Sequence, residues 1–101
     1  MVRVLSTREF DAWEKLLSRD HQQEINGIIR QLKHSWSIGK QLGYPFFKEK
    51  KFGKYRLYFL VYEKLDTVLL VTISDKKAQQ DTIDAIKGDL NLYTAMIQKK
   101  I

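Results

Sequence analysis

Apolar residues follow two different rhythms along this chain, and the change near residue 45 separates a helical half from a strand-forming half. Residues 2–5, Val-Arg-Val-Leu, alternate and predict a short first strand. Ser6 followed by Glu9 matches a capping box, in which each side chain satisfies the other residue's free backbone amide, and predicts a helix start. Phe10, Trp13, Leu16 and Leu17 then form one stripe at helical spacing. Ile25, Ile28, Ile29, Leu32 and Trp36 form a second, with the polar stretch Ser-Arg-Asp-His-Gln between them. The two stripes predict an antiparallel helical hairpin. Residues 37–45 carry two glycines and the chain's one proline and predict a loop.

Beyond the loop the period falls to two or becomes continuously apolar, predicting strands at 46–52, 55–63 and 67–74. The connections Gly-Lys and Lys-Leu-Asp are too short for a parallel crossover, so the three strands form an antiparallel meander. From Asp75 the pattern turns helical again. Ile83 and Ile86 precede Gly88, read as a C-cap, and Leu90, Tyr93, Met96 and Ile97 continue beyond it. The last stripe is expected to pack on the protein's own sheet. No repeat or domain linker interrupts 1–101. The fold class is α+β: a single domain with an N-terminal strand and helical hairpin, an antiparallel β-meander and a C-terminal helix, the helices expected on one face of the sheet.

Composition narrows the chemistry. A chain of 101 residues holds one cored domain, and its 18 Lys and Arg against 12 Asp and Glu, a net charge of +6, favour polyanionic partners. Cysteine is absent, which removes disulfides and thiolate metal sites and points to a reducing cytoplasm. Neither of the longest apolar runs approaches the ~20 residues of a membrane helix, so no membrane role is expected. Two isolated histidines and scattered carboxylates lack metal-ligand spacing, there is no phosphate-binding glycine loop, and no cofactor or metal is expected.

One residue breaks the pattern. Arg56 lies inside Tyr-Arg-Leu-Tyr-Phe-Leu-Val-Tyr, directly after Lys48, Lys50, Lys51 and Lys54. Strand alternation puts Arg56 and Tyr58 on one face with Leu60 and Tyr62, so a rigid sheet would present a permanently charged planar fork suited to phosphate. The plainer alternative is an ion pair with Glu49 or Glu63. Lys48 and Lys50 share a face and Lys51 takes the other, so only part of the cluster can serve one site. Those lysines also suit RNA contact or the protection of an edge strand. Lys76 and Lys77 oppose the dipole of the last helix and need compensation from Asp75 or from a bound anion. His21 and His34 are read as surface positions of the hairpin, and Trp13 and Trp36 as core.

These elements, and above all Gly-Lys-Tyr-Arg-Leu-Tyr-Phe-Leu-Val-Tyr followed by an acidic turn and an apolar strand ending in Ile-Ser, resemble the RelE/ParE toxin superfamily of bacterial and archaeal toxin–antitoxin systems. The resemblance spans nearly the whole chain in element order. It implies one of two activities: metal-independent cleavage of messenger RNA in the ribosomal A site, by driving a ribose 2′-hydroxyl onto the adjacent phosphate, or inhibition of DNA gyrase. The first is the leading expectation, with an antitoxin, messenger RNA and the ribosome as partners and a toxin–antitoxin hetero-oligomer as the resting form. A ParE-like or catalytically degenerate member that binds a protein target is the alternative, and a general RNA-binding module a third.

Carried over residue by residue, the resemblance puts Arg56 on the phosphate, with Lys54 and Lys77 beside it in the catalytic set. Lys48, Lys50, Lys51, Lys76 and Tyr58 would bind RNA. This sequence departs from the family where the last helix begins: Ser-Asp-Lys-Lys-Ala-Gln-Gln-Asp holds no tyrosine in the place where many members have one that takes part in the chemistry. Tyr58, Asp81 and Tyr93 are the candidates for that role.

Overall fold

The computed structural model describes residues 1–100. Its elements run β1 (Arg3–Ser6), α1 (Arg8–Leu16), α2 (Arg19–His34), β2 (Lys40–Gln41), β3 (Phe47–Phe52), β4 (Tyr55–Tyr62), a 3-10 turn (Glu63–Leu65), β5 (Thr67–Asp75), α3 (Gln79–Gly88) and α4 (Leu90–Lys100). The strands form one sheet in the order β1-β5-β4-β3-β2. The three predicted strands are present and antiparallel. β1 pairs with β5 in parallel, so the sheet is mixed. β2, inside the predicted loop, adds a short outer strand beside Lys48 and Glu49.

The first helix starts one residue later than the capping box implies. Thr7 is its N-cap, accepting from the Phe10 amide, while the Ser6 hydroxyl donates to Asp11. Thr7 also donates to the Val71 carbonyl at 2.6 Å, so a single side chain both caps α1 and ties it to β5. Ser18 caps α2 in the same manner, and the polar break shrinks to the Leu17–Ser18 link, with Asp20 and His21 already in the next helix. Leu16 leaves its predicted stripe: it is 83% exposed, because α1 ends there and only Phe10, Trp13 and Leu17 reach the sheet.

The helices lie on both faces of the sheet, not on one. Phe10, Ile25, Ile28 and Leu32 of α1 and α2 cover Leu57, Phe59, Val61, Val68 and Leu70 on one side. Ile83, Ile86 and Ile97 of α3 and α4 cover Phe47, Tyr58, Leu60, Leu69 and Val71 on the other. Strands β4 and β5 are apolar on both sides, so each face needs its own cover. The last apolar stripe packs on this second face, as expected.

One irregularity decides which side chains meet near Arg56. Phe59 pairs with Leu70 and Tyr58 with Thr72, so Val71 is an extra residue in β5. This bulge shifts the alternation by one: Val68, Leu70 and Ile73 face α1 and α2. Ser74 therefore joins Arg56 and Tyr58 on the α3/α4 face.

Candidate functional site

At the end of the sheet nearest the start of α3, Lys51, Arg56 and Ser74 are register partners across β3, β4 and β5. Arg56 is 8% exposed. Its Nε lies 3.7 Å from Glu49 Oε2, close enough for ionic attraction but too long for a hydrogen bond. Among the described residues Arg56 Nε is the one buried side-chain polar atom without a hydrogen-bond partner. Glu49 is itself held from the other side, accepting from Gln79 Nε2 at 3.0 and 3.1 Å. The ion pair with Glu49, one of the two partners foreseen, is thus present, and Gln79 bolts it to the first turn of α3.

Beside the pair, the Tyr58 and Ser74 hydroxyls share a hydrogen bond of 2.8 Å, and Ser74 also reaches the Asp75 carbonyl. Burial pushes the Tyr58 phenol up from its ordinary pKa, with the Ser74 hydrogen bond pulling partly the other way. Tyr58 is therefore a neutral hydroxyl, fully enclosed. Asp75 Oδ1 accepts from the Ala78 amide at 2.9 Å. This carboxylate, at the start of α3, is one source of the compensation that Lys76 and Lys77 need. Both lysines are exposed in the turn that follows β5.

The remaining predicted residues lie toward the α1/α2 side of the sheet. Lys48 is buried on the α1/α2 side with its ammonium on the Trp36 carbonyl at 2.8 Å. Lys50 lies on that side as well, next to α2. Lys54 occupies the β3–β4 turn, its ammonium 5.4 Å from the centre of the Tyr55 ring, and Tyr55 packs with the α1/α2 core. Gly53 makes that turn at φ 55, and a Cβ there would lie 2.7 Å from the His21 ring. His21 is accordingly a packing residue, edge-on to Phe52 and Tyr55 and bonded to Glu24, away from Arg56. Trp13 and Trp36 are partly buried against the same core. Of the predicted set, Arg56, Tyr58, Lys51, Lys76 and Lys77 gather at one end of the sheet; Lys54 occupies the turn at that end but leans on Tyr55 of the α1/α2 side, and Lys48 and Lys50 lie on that side as well.

Three members of the cluster escaped the sequence reading of the site: Ser74 and Gln79 altogether, and Glu49 except as a generic counter-charge. A one-residue bulge inside an unbroken apolar run carries no periodic signal, so Ser74 could not be assigned a face. Gln79 meets Glu49 only through the docking of α3.

No protein-family model matches the chain, and no curated protein does. Solved structures do. The chain superposes on the isolated Escherichia coli RelE toxin with a TM-score of 0.67, covering 85% of this chain and 99% of that one at 14% identity. The toxin–antitoxin complex RelBE from the same organism gives 0.67 at 15% identity, over 74% of this chain and 96% of that one. The RelB–RelE complex of Methanococcus jannaschii gives 0.61 at 19% identity, over 77% and 96%. The chain has the RelE fold. At these identities the likeness concerns the path of the backbone, and the RelE fold places Arg56 on its central strand with one helical layer on each side. None of the helices described here is long and apolar enough to cross a membrane.

Proposed function

We propose that this chain is the toxin of a toxin–antitoxin pair and a metal-independent endoribonuclease that cleaves messenger RNA on the ribosome. The observation that supports this reading best is Arg56: a guanidinium fixed on a central strand, 8% exposed, with an uncommitted Nε and exposed lysines 51, 76 and 77 around it. In such a poorly solvated place a positive charge acts on a phosphate far more strongly than it would in water. An incoming phosphate would take the position now held at long range by Glu49 and accept from Nε. It would receive bidentate hydrogen bonds as negative charge builds on the pentacoordinate phosphorus. Lys76 and Lys77, with Lys51, would hold the neighbouring phosphates. The fold's likeness to toxins crystallised with their antitoxins supports a cognate antitoxin as the resting partner and a cytoplasmic site of action.

A second reading, a ParE-like or degenerate toxin that acts by binding a protein such as gyrase, also has a specific observation behind it. The Tyr58 hydroxyl is bonded to Ser74 and enclosed. Asp81 is exposed on α3, and the Tyr93 phenol is driven up by burial and then by the carboxylates of Glu9 and Asp89. The Tyr58 phenol thus offers no free hydroxyl beside Arg56.

Primer extension on a message under translation in vitro separates the two. The cleavage reading expects codon-phased ends with the wild-type protein and their loss, by roughly 100-fold, with Arg56→Ala, the size of effect seen when one transition-state donor is removed. Intact message with translation continuing ends the ribonuclease reading and directs the next assay to gyrase supercoiling.

A further inference from the structure

The opposite side of the sheet carries a basic groove that shares only Lys51 with the site above. Helix α2 and strand β3 flank an open groove of about 570 Å³, with Arg30 and His34 on the helical wall and Lys50 and Lys51 on the strand wall. Among the described residues none of these four makes an ion pair. Glu24, the acid on this wall, is turned to His21 at 3.0 Å. β2 pairs with β3 only through Lys40–Glu49 and Gln41–Lys48, so residues 50–52 keep a free strand edge along the groove. Gly27 stands in the middle of α2 and offers no side chain to fill the space.

We infer that this groove binds single-stranded RNA through its phosphates, as a second contact that leads the strand toward Arg56. The occupant follows from the lining. Ile28 and Phe52 form a closed floor, 6% and 4% exposed, with no hole for the apolar anchor by which a peptide docks. Cations on both walls and the free edge amides are what a sugar–phosphate backbone requires. From Glu24 to His34 the helical wall is about 15 Å long at the rise of an α-helix, room for a few nucleotides. Lys51 belongs to both places: it lines the groove and is the register partner of Arg56. A strand crossing the edge of β3 at Lys51 therefore arrives in the row Lys51–Arg56–Ser74. This last step rests on the ribonuclease reading, but binding in the groove does not.

The probe is a fluorescent 2′-O-methylated RNA 12-mer, which cannot be cut through a 2′-hydroxyl, titrated at several salt concentrations against the full chain. Arg30→Glu/Lys50→Glu should weaken binding at least tenfold at low salt and lower the logarithmic salt slope by about 1.4, two phosphate contacts' worth for a single strand. Lys99→Glu/Lys100→Glu, the same charge change at exposed positions on α4, should stay within twofold. Arg30→Gln/Lys50→Gln removes the charges more gently and should fall between, with far-UV circular dichroism confirming the fold of each. Equal losses in the groove and α4 variants would reduce the effect to net charge and overturn the inference. So would no loss in either, or tighter binding of an oligoglutamate of matched charge, which would name an acidic peptide as occupant. Wild-type protein that binds the methylated probe through the groove yet leaves a message under translation intact would refute the catalytic reading alone.

Discussion

Each face of the sheet carries its own apolar layer, and the two layers differ in how they end. Under α1 and α2 the layer runs unbroken from Val61 through Phe59 and Leu57 to Phe52 and Tyr55. Under α3 and α4 it begins the same way, with Leu60, Phe47 and Tyr58, and then gives way to Arg56, Glu49, Ser74 and Gln79. The lesson is that one strand can be core on one side and a polar site on the other, provided that the core side alone holds the sheet together. Buried polar groups specify a geometry and add little net stability, so the folding energy must come from elsewhere.

That division predicts unequal truncations. Phe59→Ala should cost about 3–5 kcal/mol, because the ring is fully buried and packs against the residue 39 backbone. Ile97→Ala removes an equally enclosed side chain, but from the terminal helix, which can settle into the gap; about 2 kcal/mol is expected. Urea denaturation of the pair tests the comparison, and equal losses would mean that both faces carry the fold alike.

The next effect in size is electrostatic. Glu49→Gln leaves the Arg56 guanidinium buried without its counter-charge, and a loss of about 3 kcal/mol is expected. Glu49→Leu/Arg56→Met removes the whole pair and should be close to neutral. If the single substitution proves as mild as the double one, water reaches Arg56 and the site is more open than its 8% exposure indicates.

The core side was legible in the sequence and the polar end was not, and the reason is the kind of signal each leaves. Stripes such as Ile25–Ile28–Leu32 and the alternation through β4 are periodic, and periodicity survives without tertiary information. Leu16 failed because a stripe does not record where its helix stops. The one-sided helix layer failed because β4 and β5 read as continuous apolar runs, and such runs state that both faces are buried. Arg56 was visible as a violation of its strand. Its partners were not, since Glu49, Ser74 and Gln79 come from three other elements joined by one bulge and one helix docking. The lysines that preceded Arg56 in sequence were separated by the pleat, with Lys48 drawn to the Trp36 carbonyl.

Asp75 provides a smaller test of the polar end. Its carboxylate accepts from the Ala78 amide ahead of α3, beside two lysines that oppose the helix dipole. Asp75→Ala should therefore cost about 1 kcal/mol, more than an ordinary exposed substitution. Removing Lys76 and Lys77 in that background should restore part of it. No recovery would mean that the lysines do not feel the dipole, and a role for them in holding phosphate would then rest on their position alone.

The smallest effect concerns Tyr58, and it appears only at high pH. Burial raises the phenol above its ordinary value near 10, so folded and unfolded chains are both protonated there below that pH, and no pH dependence arises from it. Above about 10 the unfolded chain gives up the proton while the folded one holds it. The stability contributed by the enclosed phenol then falls as pH rises from the unfolded value toward the folded one. Tyr62 and Tyr93 shift in the same direction through burial, and lysines titrate nearby, so the whole chain will show a slope. The quantity to measure is the difference between wild type and Tyr58→Phe. At neutral pH the substitution should cost about 1 kcal/mol, for the hydrogen bond to Ser74. Between pH 10 and 11 that difference should shrink, since phenylalanine has no proton to lose. A difference that stays constant would show that the Tyr58 hydroxyl is open to water in solution. An open hydroxyl beside Arg56 would then be the proton donor that α3 fails to supply.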